Sequence, residues 1–236
     1  MSNKDDAPFD AADQTRPAKA PRPKDAATLI LIHKRGKGHE VLMGQRAKGH
    51  VFMPDKWVFP GGRVEASDAL APAASELQAA DEAALLVDCN RKRARTFALA
   101  AVREVFEETG LIVGRRGGAV GLAPRGWEAF CSHDAAPELH RMAFIARAIT
   151  PPFRPRRFDA RFFLADAEAV LLDDRPVGGD EELLHTKWFT LEDALELDLP
   201  NVTRFVLGEV QARLRGETLA PAYLRWTRKG HLMGRL

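Results

Sequence analysis

Cysteine is scarce: Cys89 and Cys131 are the two thiols in 236 residues. Two isolated thiols build neither a disulfide framework nor a zinc site, so a reducing, cytoplasmic setting is expected. Long apolar runs are missing, and nothing approaches the roughly 20 residues that a membrane helix needs. No membrane partner is therefore expected. Met1 to Lys24 contain no apolar stretch of signal-peptide type, and Asp5, Asp6, Asp10 and Asp13 have the wrong charge for an organellar presequence. This Ala-, Pro-, Asp- and Lys-rich segment reads as a disordered tail (1–24) ahead of a domain spanning 25–236. Charge of one sign is also lacking. Thirty-five Lys and Arg against 33 Asp and Glu leave a net +2, too balanced for a general nucleic-acid binder. The seven histidines show no metal-ligand spacing, Cys131 and His133 do not suggest a nucleophilic pair, and no internal repeat is present.

What is present is a hydrophobic fraction of 45%, enough for a sizeable core. Thr28 to Ile32 and Glu40 to Arg46 have strand character on either side of Gly36 and Gly38, which predicts an antiparallel hairpin, with order starting near Ala27. Lys56 to Phe59 reads as a short strand stopped by Pro60-Gly61-Gly62, where two glycines imply backbone freedom or a close approach. Trp57 and Phe59 alternate there and are assigned to packing rather than to base stacking. Ala69 to Arg95 is Ala-, Leu- and Glu-rich and then basic, which predicts one or two helices. Thr96 is a candidate cap for the helix that ends at Gly110. Strands are expected at 141–150, 160–165 and 184–189, a Pro/Arg loop at 151–157, and helices from Leu191 and over Asn201 to Leu214. Of the adjacent Phe162 and Phe163, which face opposite sides, one is expected in the core. Strands and helices mix without regular alternation, so the fold class is α+β.

Arg103-Glu104-Val105-Phe106-Glu107-Glu108-Thr109-Gly110 is the most informative stretch. On a helix with Glu104 as the zero direction, Glu107 falls near roughly −60° and Glu108 near roughly +40°. The three acids share one face, with Leu99, Val102, Val105 and Phe106 on the opposite side. Arg103 precedes Glu107 by four positions and can pair with it. Crowded carboxylates repel unless a cation sits among them, and hard divalent cations favour oxygen ligands at that density. A solvated acidic face is the alternative reading of such spacing taken alone.

Gly62 and the run from Arg103 to Leu111 resemble the two ends of the Nudix box. That pattern reads Gly, five residues, Glu, seven residues, Arg-Glu, an aliphatic residue, any residue, Glu-Glu, any residue, Gly, an aliphatic residue. Arg103, Glu104, Val105, Glu107, Glu108, Gly110 and Leu111 meet its second half, and Phe59 to Gly62 match the usual lead-in. Two departures stand out. Asp68 occupies the first Glu position. Arg103 also lies 41 positions after Gly62 (103 − 62) instead of fourteen, which places an insertion at about 69–95. Val51-Phe52-Met53-Pro54 and the insertion resemble the branch related to coenzyme A diphosphatases.

The resemblance implies a Nudix-like α/β/α sandwich with a mixed sheet and a helical insertion before the catalytic helix. It implies a hydrolase acting on the diphosphate of a nucleoside-diphosphate-type metabolite, coenzyme A or its thioesters first, with ADP-ribose, NADH and nucleotide sugars open. Glu104, Glu107, Glu108 and the Gly62 carbonyl would hold Mg²⁺, or Mn²⁺ in its place, with Arg103 orienting the carboxylates. Glu104 is one candidate general base, and Glu181 or Glu182 the other. Arg46 and Gly61 are candidate substrate contacts, and Arg154, Arg156 and Arg157 a candidate attraction for an anion, against a solvated loop as the plainer reading. The partner is a small-molecule diphosphate, and a homodimer is compatible with the family. Two other readings are a Nudix-fold binding or regulatory module without turnover and a house-cleaning enzyme for oxidised nucleotides.

Overall fold

The computed structural model describes residues 20–47, 54–118, 122–173, 176, 183–227 and 230–236. Strand β1 (Lys24–Arg35) turns at Gly36, whose φ is 57°, into the antiparallel β2 (Gly38–Arg46). Short β3 (Trp57–Val58) pairs with β2, and β4 (Gly61–Arg63) pairs with β1. A 3₁₀ turn at Ala66–Leu70 leads to helices α1 (Ala79–Leu85) and α2 (Arg91–Thr109). Next, β5 (Arg115–Arg116), α3 (Glu128–Cys131) and β6 (Ala135–Ala136) form a small two-stranded excursion. The chain continues through β7 (Ala143–Ile149), β8 (Phe158–Asp166), α4 (Ala167–Val170), β9 (Leu183–Thr190), α5 (Leu191–Glu196) and α6 (Asn201–Leu214). It ends in the hairpin β10 (Ala222–Thr227) and β11 (Gly230–Arg235).

The main sheet runs β11-β10-β7-β8-β1-β2-β3, with β4 beside β1 and β9 beside β2. It is mixed: β1 runs parallel to β8 and β10 parallel to β7, while the other pairs are antiparallel. The alternation of β1 explains the layers. Leu29 and Leu31 enter one core with the apolar side of α2, and Ile30 and Ile32 enter a second core with α6, because successive strand residues point to opposite faces. An α/β/α sandwich follows, as expected. Both faces of β8 are buried as well. Phe162 belongs to one core and Phe163 to the other, so both are core residues rather than one.

Three local expectations change. Strand β1 takes Lys24, so order begins before Ala27; residues 1–19 of the expected tail lie outside the described residues. The basic run Arg91 to Arg95 is not the end of a separate helix but the first turns of α2. Its N-cap is Asn90, whose side chain accepts the Arg93 N–H at 2.9 Å, and not Thr96. Thr96 is buried within the helix and donates to the Lys92 carbonyl at 2.7 Å. Tertiary packing favours the earlier start, because Ala94 and Phe97 are wholly buried against the sheet. The β10–β11 hairpin had no counterpart among the expected elements.

Asn90→Ala is expected to lower stability by about 1 kcal/mol through loss of the cap. The check is a shifted urea midpoint at unchanged slope; an unshifted midpoint would return the cap to Thr96.

Candidate active site

Gly61 and Gly62 lie on β4, opposite Thr28 and Ala27 of β1. A Cβ on Gly61 would come within 2.7 Å of the Ala27 carbonyl and the Thr28 Cα, so only glycine lets the two strands meet. A Cβ on Gly62 would fall 2.4 Å from the Glu104 Oε2. Here the second glycine makes room for a carboxylate. The Gly61 N–H donates to Glu108 Oε2 at 2.8 Å, which ties β4 to α2. Gly110 ends α2 with φ at 70°, the left-handed cap expected of it.

Arg103 is the hub. Its Nε donates to Asp68 Oδ1 at 2.7 Å and its Nη2 to Asp68 Oδ2 at 3.2 Å, a bidentate fork. Nη2 also reaches the Arg63 carbonyl at 2.8 Å. Nη1 donates to Glu107 Oε2 at 2.6 Å and lies 3.0 Å from Glu104 Oε1. Burial by itself would lower the pKa of this guanidinium. Its bonds to Asp68 and the charges of Glu104, Asp68 and Glu107 outweigh that and hold it above the ordinary arginine value. The expected Arg103–Glu107 pair is present. Asp68, which stands at the shortened box position, is fully buried. It accepts from Arg103, from the Trp127 indole Nε1 at 3.0 Å and from the Glu65 N–H at 2.8 Å. Its carboxylate anchors the arginine instead of facing the cleft.

The acidic face is not a solvated one. Glu104 and Glu108 are buried, while Glu107 keeps 37% of its side chain exposed. Burial pushes the Glu107 carboxyl above the usual range; Arg103 opposes this, and Glu65 and Asp68 add to it. The donor chemistry suits a hard divalent cation: three carboxylates and a nearby backbone carbonyl, all oxygen. In the present side-chain arrangement, however, no three His, Cys, Asp or Glu among the described residues stand close enough to grip an ion. The reason is local. Glu107 and Glu104 lean on Arg103, and Glu108 on the Gly61 N–H.

Glu104 and Glu107 open into a cleft of about 710 Å³, whereas Glu108 is not among its lining residues. Arg46, Gly61, Gly62, Glu65, Arg103, Glu104 and Glu107 line one part of it. Phe59 lines it as well and is otherwise core, while Trp57 packs edge-on against Phe189 at 4.9 Å, in keeping with a packing role for both. Arg154, Arg156 and Arg157 line the same cleft from the Pro/Arg loop, joined by Arg22 and Lys24. Glu181 and Glu182, the alternative bases, lie outside the described residues, as do Val51, Phe52 and Met53 of the lead-in. Neither cysteine is an activated nucleophile. Burial raises both thiol pKa values, with a further upward push on Cys131 from Glu128. The sequence reading missed Trp127, Glu65, Arg22 and Lys24. For Glu65 a signal existed, since an N-cap residue and an acid three positions later fit a capping pattern. For Trp127, 59 residues from Asp68, no local signal exists.

No family model matches the chain. A Caenorhabditis elegans protein named "Putative nudix hydrolase 7" is 30% identical over 173 residues, 65% of this chain. The chain spans 46% of that protein's length. The crystal structure of a Nudix hydrolase from Alicyclobacillus acidocaldarius superposes with a TM-score of 0.60 at 28% identity, covering 79% of this chain and 90% of that one. A MutT/nudix family protein from Enterococcus faecalis gives 0.50 at 14% identity, over 88% of this chain and 68% of its own. The fold is therefore that of the Nudix hydrolases.

Asp68→Ala leaves Arg103 buried with its best partner gone and the Trp127 indole without an acceptor. A loss of about 3–5 kcal/mol in urea unfolding is expected. A loss below about 1 kcal/mol would mean that Glu104 and Glu107 hold the arginine by themselves.

Proposed function

We propose that the chain is a hydrolase that cleaves the diphosphate linkage of a nucleoside-diphosphate-type metabolite with a divalent cation, Mg²⁺ first and Mn²⁺ as its substitute. The observation that carries the reading is the joining of the two halves of the box. Across the inserted α1, Arg103 still meets Asp68 and the Arg63 carbonyl, and Glu104 and Glu108 still meet Gly62 and Gly61. Glu104, Glu107 and Glu108, with the Gly62 carbonyl, would hold the cation. When bound, it would neutralise diphosphate charge and acidify a water molecule. Arg103 holds Glu107 and Glu104 in the wall of the cleft. Glu104, beside Gly62, is the candidate to take a proton from attacking water, with Glu181 or Glu182 as the other candidates. Arg46 and Gly61 line the cleft where a phosphate oxygen would lie.

Within this class, coenzyme A or its thioesters are the first substrates to consider, supported by the inserted segment between Gly62 and Arg103. ADP-ribose, NADH and nucleotide sugars come next. A cytoplasmic setting fits the two free thiols, and none of the described helices is long and apolar enough to cross a membrane. One observation favours a second reading, a Nudix-fold binding module without turnover: no three-group metal cage is preformed among the described residues. Retention of all three box glutamates speaks for turnover.

Phosphate-coupled turnover with Mg²⁺ and with EDTA, over coenzyme A, ADP-ribose, NADH, a nucleotide sugar and a nucleoside triphosphate, separates the two. Mg²⁺-dependent cleavage of at least one compound is expected, and silence from folded, Mg²⁺-binding protein would favour the binding module. Glu107→Gln or Glu108→Gln should lower turnover at least about a hundredfold with the fold intact. Near-normal rates in both would remove these residues from the cation site.

A further inference from the structure

We infer that the Pro/Arg loop between β7 and β8 is a second phosphate subsite, which selects diphosphate substrates that carry an additional phosphate monoester away from the scissile linkage. The inference rests on the diphosphatase reading for the rest of the cleft.

The loop is built rather than loose. Thr150 N–H donates to the Phe158 carbonyl at 2.9 Å, and Phe158 N–H to Thr150 Oγ1 at 3.0 Å, which closes its base. Arg154 N–H donates to the Pro151 carbonyl at 3.2 Å, forming a turn within it. Arg157 Nε and Nη1 donate to the Thr150 and Pro21 carbonyls at 3.0 and 2.8 Å. Lys24 N–H donates back to the Arg157 carbonyl at 2.9 Å, which brings the start of β1 against the loop. Arg154 is only 4% exposed although it lines the cleft. A solvated loop, the plainer reading of Arg154, Arg156 and Arg157, does not bury an arginine in this way.

The charge is uneven along the cleft. The acids lining it, Glu65, Glu104 and Glu107, belong to the Gly62 end, and Arg103 is occupied by Glu104, Glu107 and Asp68. At the loop end, Arg22, Lys24, Arg156 and Arg157 have no carboxylate partner among the described residues. Burial lowers the Arg157 pKa with no neighbouring anion to offset it. In a chain whose net charge is +2, this local excess among the described residues is complementary to an anion. With Arg157 bonded to two carbonyls, the guanidinium forks of Arg22 and Arg156 match a phosphate monoester, which carries about −1.5 to −2 at neutral pH, better than a single carboxylate.

The strand register sets the span. Lys24 pairs with Phe158 on one edge of β1, and Ala27 pairs with Gly62 on the other. Three residues along the strand and two strand spacings across it put these backbones about 14 Å apart. That is longer than a diphosphate and suits two phosphate groups separated by a sugar or a comparable linker. Phe158 and Phe162 provide apolar surface in the same cleft.

The test pairs two readouts on the full chain. Turnover compares coenzyme A with dephospho-coenzyme A, which differ in one remote phosphate. Calorimetry compares adenosine 3′,5′-bisphosphate with AMP and does not depend on turnover. The wild type should prefer the extra phosphate at least about tenfold in kcat/KM and in Kd. Arg22→Glu/Arg156→Glu, two exposed positions, should bring both ratios close to one. Equal cleavage and equal binding of each pair would overturn the subsite and leave the diphosphatase reading standing. A binding preference without cleavage of either compound would keep the subsite and remove coenzyme A as the substrate, and silence across the wider panel as well would overturn that reading. A preference that survives the double charge reversal would overturn the assignment to this loop.

Discussion

Arg103, with its side chain 4% exposed, stands between the fully buried Asp68 carboxylate, the Arg63 carbonyl and Glu107. Removing such a charge from water costs several kcal/mol, and only complete hydrogen bonding offsets it. The cost makes the arrangement specific. The guanidinium is satisfied only when β4, the 3₁₀ turn after it and α2 are docked together, and Trp127 closes the far side of Asp68. Helix α1 lies between the two ends of this network in the chain and leaves its contacts untouched. It packs beside α2 and against β7, where Asp81 accepts the Phe144 N–H at 2.7 Å. Burial raises the Asp81 pKa, with that hydrogen bond and Arg213 working against it.

The same arginine organises the cleft. By holding Glu107 and Glu104 on the α2 side, it concentrates negative charge next to Gly61 and Gly62. The start of β1 and the Pro/Arg loop concentrate positive charge at the other end. Because β1 is an interior strand, paired with β4 on one edge and β8 on the other, one element spaces the two ends. Polarity in the cleft is thus a property of the sheet register and not of the overall charge, which is near balance.

Much of the frame was legible locally. The β1–β2 hairpin, β7, β8 and β9, the end of α2 at Gly110 and the span of α6 all follow from apolar runs, glycines and period. The Arg103–Glu107 pair follows from helical spacing. Illegible were features in which distant chain segments compete with local signals. Thr96 is a sound cap by type, but burial of Ala94 and Phe97 extended α2 back to Asn90. The β10–β11 hairpin exists because β10 completes the edge beside β7, a partner 76 residues away at the Ala222–Ala146 pair (222 − 146).

Sequence alone determined which chemical groups this protein brings to its site. The order of Gly62, Arg103, Glu104, Glu107 and Glu108 is written in the chain, and helical periodicity places the acids together wherever the helix goes. Tertiary structure decided what each group does. It made Asp68 the anchor of Arg103, because a carboxylate with no solvent access and three kinds of donor around it has no direction left to face the cleft. It also brought Arg22, Lys24 and the 151–157 loop to one wall. Residues more than a hundred positions apart meet only through strand pairing, which no local pattern encodes.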